Sequence, residues 1–472
     1  MRLLLAECGL SRSDVVDIAL SKKSLKISEP LLVRFEKSRR TYLEEANKRR
    51  VYGYCTGLGE LYSKSSGCPS NWEEIVLEEH AAGVGPYIAS RELVRAFYAT
   101  RLVQLSKGPA PVRSVVVQRI AEALERDIIP VVHISGSVGA SGDLAPSAEA
   151  FRCIFYGKGE ALMDNKRIPC SKILKDLGLP RLDLEPGEAL ALINNTAFSA
   201  SYCMLALHSL ERIYELLLDT VTSAVSLISV NPEHFYPEVL SLKHCEDGKG
   251  IAEKLYNVSK QHRDYLLQAP YSIRCVPQIL GTVKNLMDYS GELLNRELCG
   301  ATENPIVINN RVYHSCNFHS IRAGTACDIA ALAGAHMANL IDRFTAQIMR
   351  KELNRIADFL SGENSSVGLM ILQYTTASLA SKIRSLATPF SIQNSVTSGL
   401  QEDIVPMSPN SAKRLEEIVE SLAGMLAILE VVVDFLERGE KGPFIGIKEK
   451  ISEKLAEVRR SLILPLSLPE DR

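Results

Sequence analysis

The sequence predicts a mostly α-helical protein: a bundle of long antiparallel helices over residues 191–472, preceded by a smaller mixed region over residues 1–190. Two observations predict the bundle. Leu415, Leu422, Leu429 and Leu436 recur at heptad spacing, as do Ile418, Met425 and Val432, and Val419, Leu426 and Val433. That is the broad apolar stripe of a helix packed inside a bundle. Thr325–Met349 is rich in alanine, which lets neighbouring helices approach closely. A third observation predicts the mixed region, where proline and glycine break the first half into short segments.

Taken in order, Leu25–Ser28 alternates like a short strand. Asn71–Gly83 and Arg91–Leu105 carry helical patterns, and Pro109 and Pro111 open a helix running to about Arg126. Ile128-Ile129-Pro130-Val131-Val132 leads into a glycine-rich turn. Pro169, Pro180 and Pro186-Gly187 then punctuate a loop-rich connection, with a boundary near Leu190. Asp219, Asp328 and Asp342 interrupt long apolar segments of the second half.

Composition narrows the function classes. The chain has 472 residues, 46% hydrophobic and 23% charged, within the range of a soluble globular protein. A net charge of -2 supplies no global field for nucleic acid or an anionic membrane. The eleven cysteines are scattered and never spaced C-x-x-C, which argues against a disulfide framework and a zinc ribbon and for a reducing, cytoplasmic setting. The apolar Met1–Leu10 gives way to Arg12, Asp14 and Asp17 and lacks a signal-peptide layout. The most apolar run, Leu422–Phe435, contains Glu430 and Asp434 and is too short to span a bilayer. His314 and His319 lie five apart, off a common helix face, and neither H-E-x-x-H nor a Walker P-loop occurs, so no metal is expected.

The stretch richest in chemistry is Gly136-Ser137-Val138-Gly139-Ala140-Ser141-Gly142-Asp143-Leu144-Ala145-Pro146. Glycine at every third position permits a tightly turned backbone. Asp143 stands where a helix N-cap would, with Pro146 in the first turn. On pattern alone this is a plain turn before a helix or a phosphate cradle. A nucleophile elbow is excluded, because Gly142 directly follows Ser141.

Gly139-Ala140-Ser141-Gly142-Asp143-Leu144 resembles the signature of the aromatic amino acid ammonia-lyase and aminomutase family. Further blocks resemble that family in the same order: Tyr52-Gly53-Tyr54-Cys55-Thr56-Gly57-Leu58-Gly59, His80-Ala81-Ala82-Gly83, Leu192-Ile193-Asn194-Asn195-Thr196, Pro270-Tyr271-Ser272-Ile273-Arg274, Asn317-Phe318-His319 and Gln401-Glu402-Asp403. The resemblance implies that Ala140-Ser141-Gly142 cyclises unaided. The Gly142 nitrogen attacks the Ala140 carbonyl and two waters leave, giving an electrophilic methylidene-imidazolone (MIO) with no external cofactor. A helix N-terminus nearby would favour negative charge developing on the ring oxygen.

The roles implied by the resemblance follow residue by residue. Tyr52 is the expected base for the β-proton, its phenol made easier to ionise. Arg274 would grip the substrate carboxylate through paired hydrogen bonds. Asn194 and Tyr271 would support the electrophile and the amine, and Gln268 and Phe318 would shape the pocket. His80 and Glu402 match the histidine branch, where Glu402 would accept a hydrogen bond from an imidazole N–H. The expected reaction is therefore elimination of ammonia from an aromatic amino acid, with L-histidine giving trans-urocanate. The alternatives are a phenylalanine or tyrosine ammonia-lyase, an aminomutase, or a non-catalytic helical assembly protein keeping the fold. The resemblance also implies a homotetramer whose sites mix residues from different subunits. The sequence departs from the family at Cys55, Leu58, Glu79, Asn195, Cys299, Glu303 and Ser315-Cys316, all bearing on pocket shape.

Overall fold

The glycine and proline breaks of the first half and the long apolar stripes of the second are both visible in the fold. The computed structural model describes residues 2–5, 10–65, 67, 69–108, 110–163, 166–261, 264–363 and 367–470. The first half runs β1 (Arg2–Leu5), α1 (Arg12–Ala19), β2 (Ser24–Ile27), α2 (Glu29–Ala46), α3 (Trp72–His80), β3 (Tyr87–Ala89), α4 (Arg91–Lys107), α5 (Ser114–Glu125), β4 (Ile129–Pro130), α6 (Leu144–Tyr156), β5 (Glu160–Met163), β6 (Lys166–Pro169), α7 (Cys170–Asp176) and α8 (Glu188–Ile193). The second half runs α9 (Ala197–Leu227), α10 (Pro237–Leu242), α11 (Glu246–Ser259), α12 (Tyr271–Arg274), α13 (Val276–Leu298), β7 (Ile306–Ile308), β8 (Arg311–Tyr313), α14 (Ile321–Ile348), α15 (Lys351–Asn354), α16 (Ile371–Leu386), α17 (Ser408–Glu437), α18 (Ile447–Arg460) and β9 (Ser467–Pro469).

The strands are short, two to four residues each. β1 and β2 pair in parallel, β4-β5-β6 form a small antiparallel sheet, β7 and β8 form a hairpin, and β9 returns from the C-terminus to pair with β3. The expected strand at Leu25–Ser28 is β2, with Ser28 instead at the N-cap of α2. The helix expected from Pro109 and Pro111 starts later, at Ser114, and Pro109 itself lies outside the described residues. The Glu188 carboxylate accepts from the Arg113 backbone N–H at 2.8 Å and grips its guanidinium, holding Arg113 extended as the N-cap. The expected boundary near Leu190 falls inside the buried helix α8, and one apolar core continues across it.

Side-chain contacts give the helix directions. Thr100 meets Ser201 and Gln104 meets Thr196, so α4 and α9 are antiparallel. Ser290 reaches Ala326 and Glu297 reaches Arg322, so α13 and α14 are antiparallel too. Three helices instead run the same way, side by side. Cys203 of α9 is bonded to Cys327 of α14, Asp328 of α14 pairs with Arg414 of α17, and farther along Gly334 packs against Leu210 and Ile418. A Cβ on Gly334 would lie 2.6 Å from Ile418 Cγ2, so glycine is what lets α14 and α17 close up there.

Two further expectations need correction. Cys153–Cys170 and Cys203–Cys327 are disulfides. Their partners are 17 and 124 residues apart in sequence, yet their Cα atoms come within 5.4 and 5.8 Å through packing that spacing does not reveal. The segment Glu188–Leu227, spanning α8 and α9, is also long and apolar enough to cross a membrane, although its most apolar window is wholly buried in the bundle.

Candidate active site

The direction of the three parallel helices matters because all of them start at the glycine-rich loop. α6 begins directly after Asp143, and α9 directly after Asn194-Asn195-Thr196. Ser320, the N-cap of α14, donates its backbone N–H to Gly139 O at 3.0 Å, and Ser408 Oγ, at the start of α17, donates to Ser320 O at 2.8 Å. Four N-terminal dipole ends therefore surround residues 139–143, a positive setting for developing negative charge.

The loop is fixed from below. Gly142 has φ +78°, and a Cβ there would lie 2.3 Å from Asn195 O, so only glycine fits. Asp143 is at the N-cap position of α6, as the sequence suggested, and is fully buried, but its side chain makes no cap hydrogen bond. Its carboxylate instead accepts from Ser199 N–H at 2.7 Å, Ser199 Oγ at 2.6 Å and Ser137 Oγ at 3.0 Å, tying the loop to α9. Burial pushes its pKa up to about 6, against the pull of those hydrogen bonds. Asn195, a departure from the family, is satisfied: Oδ1 accepts from Ala197 N–H at 2.7 Å, and Nδ2 donates to Leu192 O at 2.7 Å.

Deeper still lies a polar network. Arg101 and Glu303, both fully buried, pair at 2.9 Å. Gln104 links Thr302 and Thr196, and Glu297 accepts from Thr196 Oγ1 and from Arg322. Glu303 thus turns from a pocket departure into a floor anchor.

Above the loop opens a cleft of about 770 Å³. Of the residues expected there, Tyr52, Ser141, Asn194, Phe318 and Glu402 line it. Ala140 and Gly142 are buried beneath Ser141. Asn194 Nδ2 donates to Ser141 O at 2.6 Å, while its Oδ1 is buried with no partner among the described residues. Ser141 Oγ donates to Glu402 Oε1, so Glu402 faces the loop rather than the start of α17.

Tyr52 departs from expectation electrostatically. Burial, with the Glu402 charge adding to it, raises the phenol above its ordinary range rather than easing its ionisation. The Gly59 N–H, donating to the phenolic oxygen at 2.9 Å, pulls the other way.

The other expected residues are elsewhere. Gln268, Tyr271 and Arg274 are not brought into the cleft. Arg274 donates to Gln268 and lies 5.8 Å from the Tyr271 ring centroid, and Tyr271 is 76% exposed. His80 ends α3 with Nδ1 2.7 Å from Val76 O, and is not a lining residue. Glu79 is exposed. Cys55 has a positive φ of 54° and is itself disulfide-bonded.

Sequence reasoning missed Arg50, Glu60, Tyr62, Asn304 and His314, which also line the cleft. Arg50 clips the tyrosine loop by donating to the carbonyls of Tyr62 and Ser63 at 2.7 Å, and His314 Nε2 accepts from the Tyr52 backbone N–H at 3.1 Å. Closeness to the Tyr52 and Asn317 blocks was the available signal.

Comparison with known proteins agrees with this geometry. The sequence profile of the family described as aromatic amino acid lyase matches residues 10–435. The chain belongs to the aromatic amino acid lyase family. It is therefore a carbon–nitrogen lyase. Curated relatives include a probable histidine ammonia-lyase of Thermoplasma acidophilum, 31% identical over 95% of this chain and 92% of that protein. The histidine ammonia-lyase of Streptomyces coelicolor is 31% identical over 89% of this chain and 85% of that protein. Among solved structures, the phenylalanine aminomutase of Pantoea agglomerans superposes with a TM-score of 0.86 at 24% identity, covering 100% of this chain and 96% of that one. The histidine ammonia-lyase of Trypanosoma cruzi gives 0.85 at 24% identity, covering 98% and 94%. For these structures the likeness is one of fold.

Proposed function

We propose that this aromatic amino acid lyase eliminates ammonia from L-histidine, giving trans-urocanate, at an MIO formed from Ala140-Ser141-Gly142. The observation that carries the substrate is Glu402. Its carboxylate reaches the reactive loop inside the cleft, where it accepts a hydrogen bond from an imidazole N–H but has none to take from a phenyl ring.

The residues present fit the prosthetic group: Gly142 is locked into a turn only glycine adopts, four helix N-termini face it, and Asn194 holds the Ser141 carbonyl. Once formed, the group supplies an electrophile that makes the substrate amine a better leaving group. Tyr52 Oη accepts the β-proton, and the Gly59 N–H stabilises the phenolate that must form first. Asn194 Oδ1 is a ready acceptor for the amine. Arg274 binds the carboxylate, with Gln268 and Tyr271 beside it, and Phe318 and His80 shape the side-chain end.

Within one chain, His80 and Arg274 with its neighbours lie outside the cleft, so the proposal requires other copies to supply them. A homotetramer with shared sites meets that need. Residues 1–190 then carry the tyrosine and MIO loops, and residues 191–472 the bundle on which subunits associate. The proposed setting is the cytoplasm, where a free amino acid pool feeds such a reaction.

The test follows ultraviolet absorbance with histidine, phenylalanine and tyrosine, in wild type and in Glu402→Gln. Urocanate from histidine, lost in the variant, is the expected result. An acrylate from phenylalanine or tyrosine alone, or a β-amino acid product, would replace the histidine assignment with a sister activity.

A further inference from the structure

Glu402 is held at both oxygens, by two hydroxyls with different fates. Oε1 accepts from Ser141 Oγ, and Oε2 accepts from Thr397 Oγ1. Ser141 Oγ is the atom that leaves as water when the tripeptide cyclises. Thr397 Oγ1 stays. Cyclisation therefore empties Oε1 and leaves Oε2 occupied, a carboxylate with one oxygen turned to the cleft.

The backbone around this pair is built to hold it. Thr397 N–H donates to Glu402 O at 3.0 Å, and Glu402 N–H donates to Thr397 O at 3.3 Å. The turn between them needs positive φ at Ser398, Gly399 and Leu400, at 49°, 62° and 77°. Two of these are non-glycine residues in a sparsely populated region, a conformation kept only where surroundings fix it. They do so here, because Glu60 N–H donates to Ser398 Oγ at 3.3 Å and Gly399 packs on the Glu60 side chain.

We infer that Thr397 is the positioning residue for substrate specificity: its hydroxyl fixes the Glu402 carboxylate so that Oε1 presents to the imidazole N–H. The inference rests on the histidine reading above. Without the Oε2 donor the carboxylate is free to rotate, and part of the imidazole interaction goes into re-fixing it. A phenyl ring makes no hydrogen bond to Oε1, so its binding does not register the difference.

Thr397→Val keeps the branched shape and removes the donor, Thr397→Ser restores the donor, and Thr397→Ala guards against a misfolded valine variant. Intact mass is read first, to show that each variant has lost two waters. kcat and KM for histidine are then measured, with inhibition by imidazole-4-propionate and by 3-phenylpropionate. Loss of one charge-assisted hydrogen bond predicts a fall on the order of tenfold in kcat/KM for Val and Ala, mainly through KM. Imidazole-4-propionate weakens in step, 3-phenylpropionate stays within about twofold, and Ser returns to wild type. Equal losses for both inhibitors, no loss for either, or failure of Ser to rescue would overturn the inference. So would an unreacted mass in Val and Ala, which would place Thr397 in maturation instead. If wild type makes no urocanate, the histidine reading falls and this inference with it. If wild type makes urocanate and the valine variant matches it, only this inference falls.

Discussion

On the floor of the cleft, Arg101, Asp143, Asn195 and Glu303 are fully buried, and each is bonded to neighbours in its own chain. Outside the cleft, Gln268 and Tyr271 lie open to solvent, with Arg274 bonded to Gln268 and beside the Tyr271 ring. The floor is finished by one polypeptide: four helix starts and a buried polar network leave the turn at residues 139–143 a single conformation. None of Gln268, Tyr271 and Arg274 lines the cleft of its own chain. In the proposed function, making the electrophile is thus a property of the folded chain, and gripping the substrate is a property of the proposed assembly. Floor variants should alter chemistry or stability, and variants of these outer residues affinity.

The largest effect should come from Ser141→Ala. Without a hydroxyl to lose, turnover should fall by about a thousandfold or more, about 4 kcal/mol of barrier. The melting temperature should hardly move, since Ser141 is only half-buried. Steady-state kinetics beside a thermal melt checks both, and a well-folded variant with substantial turnover would break the link between floor and chemistry.

Next in size is Arg101→Met, which strands Glu303 as a buried unpaired charge. Denaturant unfolding should show a loss of about 3–5 kcal/mol. The same change at Arg274, outside the cleft, should cost below about 1 kcal/mol. Equal costs would erase the distinction.

Proton linkage sharpens it further. Asp143 is raised from 3.8 to about 6 in the folded protein. Between those values the folded state binds more protons than the unfolded one. Its stabilising contribution is therefore full below about pH 4 and lost as pH rises to about 6. Measured against Asp143→Asn, wild-type stability should drop by about 3 kcal/mol across that window and then level off. A rise over the same interval would show that Asp143 is ionised more easily in the fold than out of it.

The smallest of these effects belongs to Arg274→Lys. Replacing a planar fork by a point charge should raise KM about tenfold with little change in melting temperature. An unchanged KM would remove Arg274 from substrate binding.

The helical architecture was legible because heptad spacing and alanine content report burial directly, and Leu415–Leu436 all fall on α17. The loop was legible through the resemblance of Gly139–Leu144 to the family signature, since its glycine spacing alone reads as a plain turn or a phosphate cradle. Helix direction was not: nothing in the α9, α14 and α17 segments says that their N-termini meet at Gly139. The N-cap position of Asp143 was legible, but its carboxylate's tie to Ser199 was not, because a capping position and a tertiary anchor look alike in one dimension. The Arg101–Glu303 pair joins residues about two hundred positions apart, beyond any local pattern. The tyrosine's raised pKa follows from burial and from Glu402, which only the fold brings near.

The intact mass of the purified wild-type chain, with peptide mapping across residues 136–146, tests the central claim most directly. A loss of two waters confined to Ala140-Ser141-Gly142, absent in Ser141→Ala, is the predicted result. An active preparation with the full unmodified mass would contradict it.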